Sequence, residues 1–269
     1  MAEKELNVLT LRMSDGNVIK FEHYDTMVST AALAREYAKA GYPDRYVVFT
    51  ENQQDTSLTG SRLREGETGH GVFMSVILRP NFFSSQAGFL GAMSALALIR
   101  GLEEHTKHPL GIGWVSDLFC DGVRIGGCAA EGKIDNFRSY EYLIVHFAVR
   151  LEDAVFPPRL SDMLRQVFEE GAGSISMMIA KGVLDRFFTL YADIKNPSAS
   201  FMDAYRQKMI LRGTHVRVNE DGHRLLCRVV DVDPADGRLI VLTSGGRELR
   251  IANRANVTVP PVIHIHRSN

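Results

Sequence analysis

The pair Asp121-Gly122 constrains this chain more than any other feature. Apolar runs flank it, and Asp-Gly between such runs is the sequence signal of a tight two-residue β-hairpin. A hairpin closed there carries Asp117 on one strand back towards Arg124 on the other. An acid, a base and the glycines Gly126 and Gly127 then share one small area, in which a ligand can come close to the backbone.

Upstream, residues 5–12 and 17–23 read as a first hairpin around Asp15-Gly16. Ser29 and Thr30 precede a helical pattern that starts at Ala31 and is stopped by Gly41. Residues 46–49 read as a short strand and 52–70 as a polar loop of about 19 residues, longer than most connections in a compact domain. A strand over 71–79 comes next, then a long helix over 84–105. Phe89, Leu90, Met93 and Leu96 give that helix a wide apolar face, so deep burial is expected. The hairpin over 110–134 and a strand over 141–149 follow, and Pro157-Pro158 breaks the chain before helices at 159–170, 175–193 and 199–210.

The pattern changes at Leu211. Five short strands are expected over 214–218, 225–232, 238–243, 247–251 and 257–262, with turns at Gly222, Asp236-Gly237 and Gly245-Gly246. Their close spacing predicts a small β-barrel. The organisation expected is one domain over 1–210 and a second over 211–269.

A chain of 269 residues can bury a full core and carry a small appended domain. Its net charge of -1 gives no general electrostatic reason to bind nucleic acid or an anionic membrane. No run approaches the roughly 18 apolar residues of a membrane span. The charged start, Met1-Ala2-Glu3-Lys4-Glu5, has no apolar segment behind it, so no signal peptide is read and a cytoplasmic location is expected. Cys120, Cys128 and Cys227 form no C-x-x-C pair and read as small buried residues in a reducing compartment. His105 with His108, and His264 with His266, lack an acid or thiol at ligand spacing, so surface histidines and no metal site are expected.

Trp114 and Asp117, then Arg124, Gly126-Gly127 and Glu131, closely resemble the hairpin of biotin protein ligases, which reads K-W-P-N-D, then K-x-x-G and a glutamate. The resemblance runs from Ser29-Thr30 through Ala204-Tyr205-Arg206 to Gly213-Thr214-His215-Val216. It implies an α+β fold: a mixed, mostly antiparallel sheet flanked by helices, with a C-terminal β-barrel of Src-homology-3 type. The implied activity is ATP-dependent conversion of biotin to biotinyl-adenylate and transfer of the acyl group to a lysine of a biotin carboxyl-carrier domain. ATP and Mg would be co-substrates, with no tightly bound metal, and a homodimer is among the expectations. On this resemblance Ser29, Thr30 and Gln53 hold biotin, with Gly71, Gly126 and Gly127 lining its site. Trp114 and Asp117 serve the nucleotide. Arg124, assisted by Arg62, neutralises the phosphate and is the catalytic residue expected.

Three departures from the pattern stand out. The family's G-R-G-R-x-G-R phosphate loop is reduced to Gly60, Arg62 and Arg64, which removes charge-assisted bonds to a phosphate. In the hairpin Gly113, Val115 and Ser116 replace lysine, proline and asparagine. There too Arg124 replaces a lysine, a planar fork in place of a point charge. Over 144–150, bulky residues replace the family's glycines, and Ala148 and Arg150 its asparagines. These losses set up the alternatives: a degenerate member that binds biotin or another small acid without adenylation, or a lipoate- or octanoate-type acyl ligase. A DNA-binding repressor role is not expected, because the stretch before Ser29 is too short for a winged helix.

Overall fold

The computed structural model describes residues 7–14, 16–54, 69–152, 175–260 and 262–263. The expected helix at 159–170, most of the loop at 52–70 with Gly60, Arg62 and Arg64, and both His264 and His266 lie outside the described residues.

The first hairpin is β1 (Asn7–Arg12) and β2 (Val18–Met27). Helix α1 (Thr30–Lys39) starts at Ser29, whose Oγ accepts the Ala32 N–H at 3.3 Å, the cap that its sequence predicts. The helix returns the chain to β3 (Tyr46–Gln53), which therefore lies parallel to β2. Strands β4 (Gly69–Leu78), β5 (Leu110–Gly113), β6 (Asp117–Cys120), β7 (Val123–Ile134) and β8 (Tyr140–Glu152) complete an eight-stranded sheet in the order β1-β2-β3-β4-β8-β7-β6-β5. Every other neighbouring pair in it is antiparallel. Asp121 and Gly122 join β6 to β7 with φ of 48° and 83°, the two left-handed residues that a type I′ turn requires.

One face of the sheet carries α1, with Ala34 and Ala38 against Val48, Ile77 and Ile144. Glu22, fully buried, fastens this helix: it accepts hydrogen bonds from Tyr46 Oη of β3 at 2.6 Å and from Tyr37 Oη of α1 at 3.2 Å. The other face carries the larger core and α2 (Leu90–Glu103), most of whose residues are buried, as a helix apolar on all sides must be. The helix expected over 84–105 is divided. Ser84–Ala87 forms a 3-10 turn, and α2 begins only after Gly88 and Phe89, where glycine weakens the helix and the Phe89 ring packs edge-on to Phe201 at 6.0 Å. Helix α3 (Ile175–Tyr191) crosses α2 closely: a Cβ on Gly101 would sit 2.5 Å from Val183 Cγ2.

After α4 (Ala199–Lys208) a separate five-stranded antiparallel sheet forms from β9 (His215–Glu220), β10 (His223–Val232), β11 (Leu239–Thr243), β12 (Glu248–Ile251) and β13 (Val257–Thr258). Its order is β12-β11-β10-β9-β13. The last strand, expected over 257–262, stops at Thr258 because Pro260-Pro261 cannot donate to a ladder. Its buried side chains, Val216, Val229 and Val241 among them, belong to the same apolar cluster as Trp114 and Leu118 of the large sheet. No helix among the described residues is long and apolar enough to cross a membrane.

Candidate ligand site

The register of β4, β8, β7 and β6 lines up two rows of side chains on the α1 face. Ser75, His146 and Ala129 form one row, and Phe73, Ala148, Gly127 and Asp117 the other. The sequence-predicted residues stand at the two ends of these rows.

At the α1 end, Gln53 Oε1 accepts the Thr30 N–H at 2.9 Å and lies 3.2 Å from Thr30 Oγ1. Ser75 Oγ sits 2.9 Å from Thr30 Oγ1 and 2.9 Å from His146 Nδ1. The other ring nitrogen, Nε2, is 3.2 Å from Glu131 Oε1, to which Arg35 Nε of α1 donates at 2.9 Å. Thr30, Gln53, Ser75 and His146 are all buried. Burial pushes the Glu131 carboxyl up, but His146 and Arg35 outweigh it and hold the group below its ordinary range. Thr30 and Gln53 are thus brought together, while Ser29 is occupied as the helix cap.

At the hairpin end, Arg124 Nε donates to Asp117 Oδ1 at 3.0 Å, with each side chain 11% exposed. The second carboxylate oxygen takes Arg254 from the short turn before β13, at 2.5 Å. Asp117 therefore clamps one guanidinium from β7 and one from the turn that precedes β13. Trp114, 1% exposed, donates its indole N–H to Gly237 O at 2.8 Å, which ties the hairpin to the second sheet. Tyr205 Oη on α4 adds a bond to Val115 O at 2.8 Å.

The glycines answer first to strand packing. A Cβ on Gly71 would lie 2.0 Å from Val149 O, one on Gly126 2.0 Å from Ala148 O, and one on Gly127 2.6 Å from Ser116 O. Side chains there would force β4, β6 and β7 away from their neighbours. Where β6 begins, a cavity of about 890 Å³ opens along β7, lined by Ser116 and Asp117, by Ala129–Gly132 of β7, by Gly91 and Ser94 of α2, and by Asn253 and Arg254. An acid and a base inside a concave, partly apolar wall form a setting suited to a small polar ligand.

His108 does meet an acid, contrary to the sequence expectation: the hairpin brings Asp121 Oδ2 within 2.5 Å of its Nδ1, beside Cys120. Burial, helped by the charge of Asp121, pushes the Cys120 thiol up to about 12. Two ligands of one tetrahedral ion at about 2 Å from it stand roughly 3.3 Å apart, so this pair is closed as a hydrogen bond.

With this geometry in view, the sequence relatives are informative. No family model matches the chain. Over 142 residues it is 28% identical to the bifunctional ligase/repressor BirA of Bacillus subtilis. That match takes in 52% of this chain and 44% of the relative, so the chain spans less than half the length of the curated relative. The chain is biotin protein ligase-like in sequence and fold. The biotin protein ligase of Aquifex aeolicus in complex with biotin and ATP superposes with a TM-score of 0.63 at 16% identity, over 88% of this chain and 97% of that one. The biotin protein ligase of Leishmania major in complex with biotinyl-5-AMP gives 0.56 at 16%, over 86% and 98%. The fold brings Ser75 and His146 beside Thr30 and Gln53, and Arg254 beside Asp117, none of which the sequence singled out as a site residue. A signal for two of them was present: the alternation of β4 and β8 puts Ser75 and His146 on the face of Ala148, and only the register makes them partners.

Proposed function

We propose that this protein binds a small carboxylic acid of biotin type, activates it with ATP as an acyl-adenylate, and passes the acyl group to a lysine of a carrier domain. The observation that carries this reading is the common face: Thr30 with Gln53 at one end, Asp117 with Arg124 at the other, and small residues between them. Relatives of the same fold hold biotin, ATP and biotinyl-adenylate. Thr30 and Gln53 would grip the ring end of the acid, Ser29 lying beside them as the helix cap. Gly71, Gly126 and Gly127 would keep the strands beneath the acyl chain close together.

Arg124 would neutralise the acid's carboxylate against the α-phosphate. The carboxylate attacks the α-phosphorus, the bond to the departing pyrophosphate breaks, and the lysine amine then displaces AMP from the acyl carbon. Mg would arrive with ATP and balance phosphate charge. Asp117 and Trp114 would serve the nucleotide side, with Arg62 as a second cation. In this reading residues 1–210 are the ligase-like domain and 211–269 a barrel domain that lends Arg254.

A second reading, binding of the acid without adenylation, draws on a specific feature: Arg124 and Arg254 are both engaged by Asp117, whose carboxylate offsets part of the positive charge a phosphate would meet. Pyrophosphate exchange into ATP in the presence of biotin tests the choice. Biotin-dependent exchange supports the ligase. Biotin binding without exchange leaves the binding protein.

A further inference from the structure

His146 sits at the centre of an unbroken line of polar contacts from Gln53 to Arg35, and the direction of its hydrogen bonds can be read from the ends. Gln53 Oε1 is an acceptor, because the Thr30 backbone N–H donates to it. The Thr30 hydroxyl, 3.2 Å from the same oxygen, therefore points its hydrogen at Gln53, and Ser75 then points its own at Thr30 Oγ1. Ser75 Oγ has no hydrogen left for His146, so the ring's Nδ1, at 2.9 Å, must donate. At the other end Glu131 already accepts from Arg35, so Nε2 must donate as well. A neutral ring that keeps its hydrogen on Nε2, facing the Glu131 carboxylate, turns both hydroxyls round and leaves two lone-pair oxygens facing each other between Thr30 and Gln53.

We infer that His146 is held as a doubly protonated imidazolium whose charge sets the direction of the hydroxyl chain reaching Thr30 and Gln53, which makes it a positioning residue for the ligand-binding end of the site. Its counter-charge is Glu131 on β7, itself paired with Arg35 of α1; Ser75 faces it from β4 and Ala129 from β7. Among the described residues those are the charged partners the structure gives the ring. With the proton in place, Gln53 Oε1 is filled by Thr30, so the amide offers only N–H donors onward. The group recognised there must be an acceptor oxygen, as a ureido or amide carbonyl is. Loss of the proton removes one hydrogen bond from Gln53 and loosens its orientation.

The link to ligand binding rests on the biotin-type reading; the protonation state does not. Two measurements separate them. In the ligand-free protein labelled with nitrogen-15, both ring nitrogens of His146 should carry hydrogen in the buffer used for the binding measurement. An unprotonated Nδ1 in that sample overturns the inference. Biotin affinity, measured by calorimetry across a pH series, should weaken by about three- to tenfold as the ring deprotonates, the loss of one hydrogen bond. The dependence should vanish in His146→Gln and in Ser75→Ala, the second of which breaks the chain without altering the ring. A parent affinity that stays flat while the ring titrates overturns the coupling. Failure of biotin to bind at any pH overturns the biotin reading and leaves the ring spectrum to decide the protonation.

Discussion

The two ends of the candidate site are built on different physics. The α1 end is a chain of short polar groups satisfied by one another, in which His146 meets the Glu131 carboxylate at one side. The hairpin end is ionic throughout: one carboxylate, Asp117, shared by a guanidinium from β7 and another from the short turn before β13. A hydrogen-bonded end selects shape and polarity, since each bond fixes a direction. An ionic end selects charge, and its cations can move to a phosphate when one arrives. The contrast also locates the risk. Taking one member from the first end costs one or two bonds, whereas taking the shared acid from the second removes a partner from two half-buried cations at once.

The largest expected effect follows from that last point. Asp117→Ala should lower stability by about 1–3 kcal/mol, the cost of removing a charged hydrogen-bond partner from two half-buried guanidiniums. Denaturant unfolding measures it, and a loss under about 1 kcal/mol would mean that the two arginines relax into solvent. Next comes Arg124→Ala, which should fold normally and bind biotinyl-adenylate about ten- to a hundredfold more weakly, the worth of one charge-assisted bond. Arg124→Lys restores the ligase pattern and should preserve or improve turnover. Unchanged adenylate affinity in Arg124→Ala would remove the ionic end from the site.

Trp114→Phe sharpens the comparison by loosening the contact between sheets without touching a charge. It deletes the bond to Gly237 O and should cost about 1 kcal/mol in thermal or denaturant unfolding. The smallest effect concerns acid. The folded-state pKa of Glu131 is depressed, so the stability it contributes is present above the unfolded value and fades as pH falls through the lower folded one. Glu131→Gln should flatten that part of the stability–pH curve, and a curve identical to the parent's would show that the pair with His146 and Arg35 carries no linkage.

Much of the frame was legible because local chemistry decided it. The Asp121-Gly122 turn needed only two residues that accept positive φ, and the start of α1 only a serine free to cap it. Where local signals conflicted, the expectation strayed. The helix over 84–105 was read across Gly88, and the strand over 257–262 across two prolines. The site was less legible than the fold for a different reason. Thr30, Gln53, Asp117 and Arg124 belong to a pattern in the chain, but the partners that complete them do not. His146 reaches Ser75 only through the β4–β8 register, and Arg254 reaches Asp117 from 137 positions away. Contacts of that kind are set by sheet pairing and by the packing of two sheets, which no short window of sequence contains.

Calorimetric titration of the protein with biotin, with ATP, and with biotinyl-adenylate in turn tests the central claim most directly. The account predicts that biotin binds and that biotinyl-adenylate binds more tightly than biotin or ATP alone, because it engages the polar and the ionic end at once. Binding of neither biotin nor biotinyl-adenylate would contradict it.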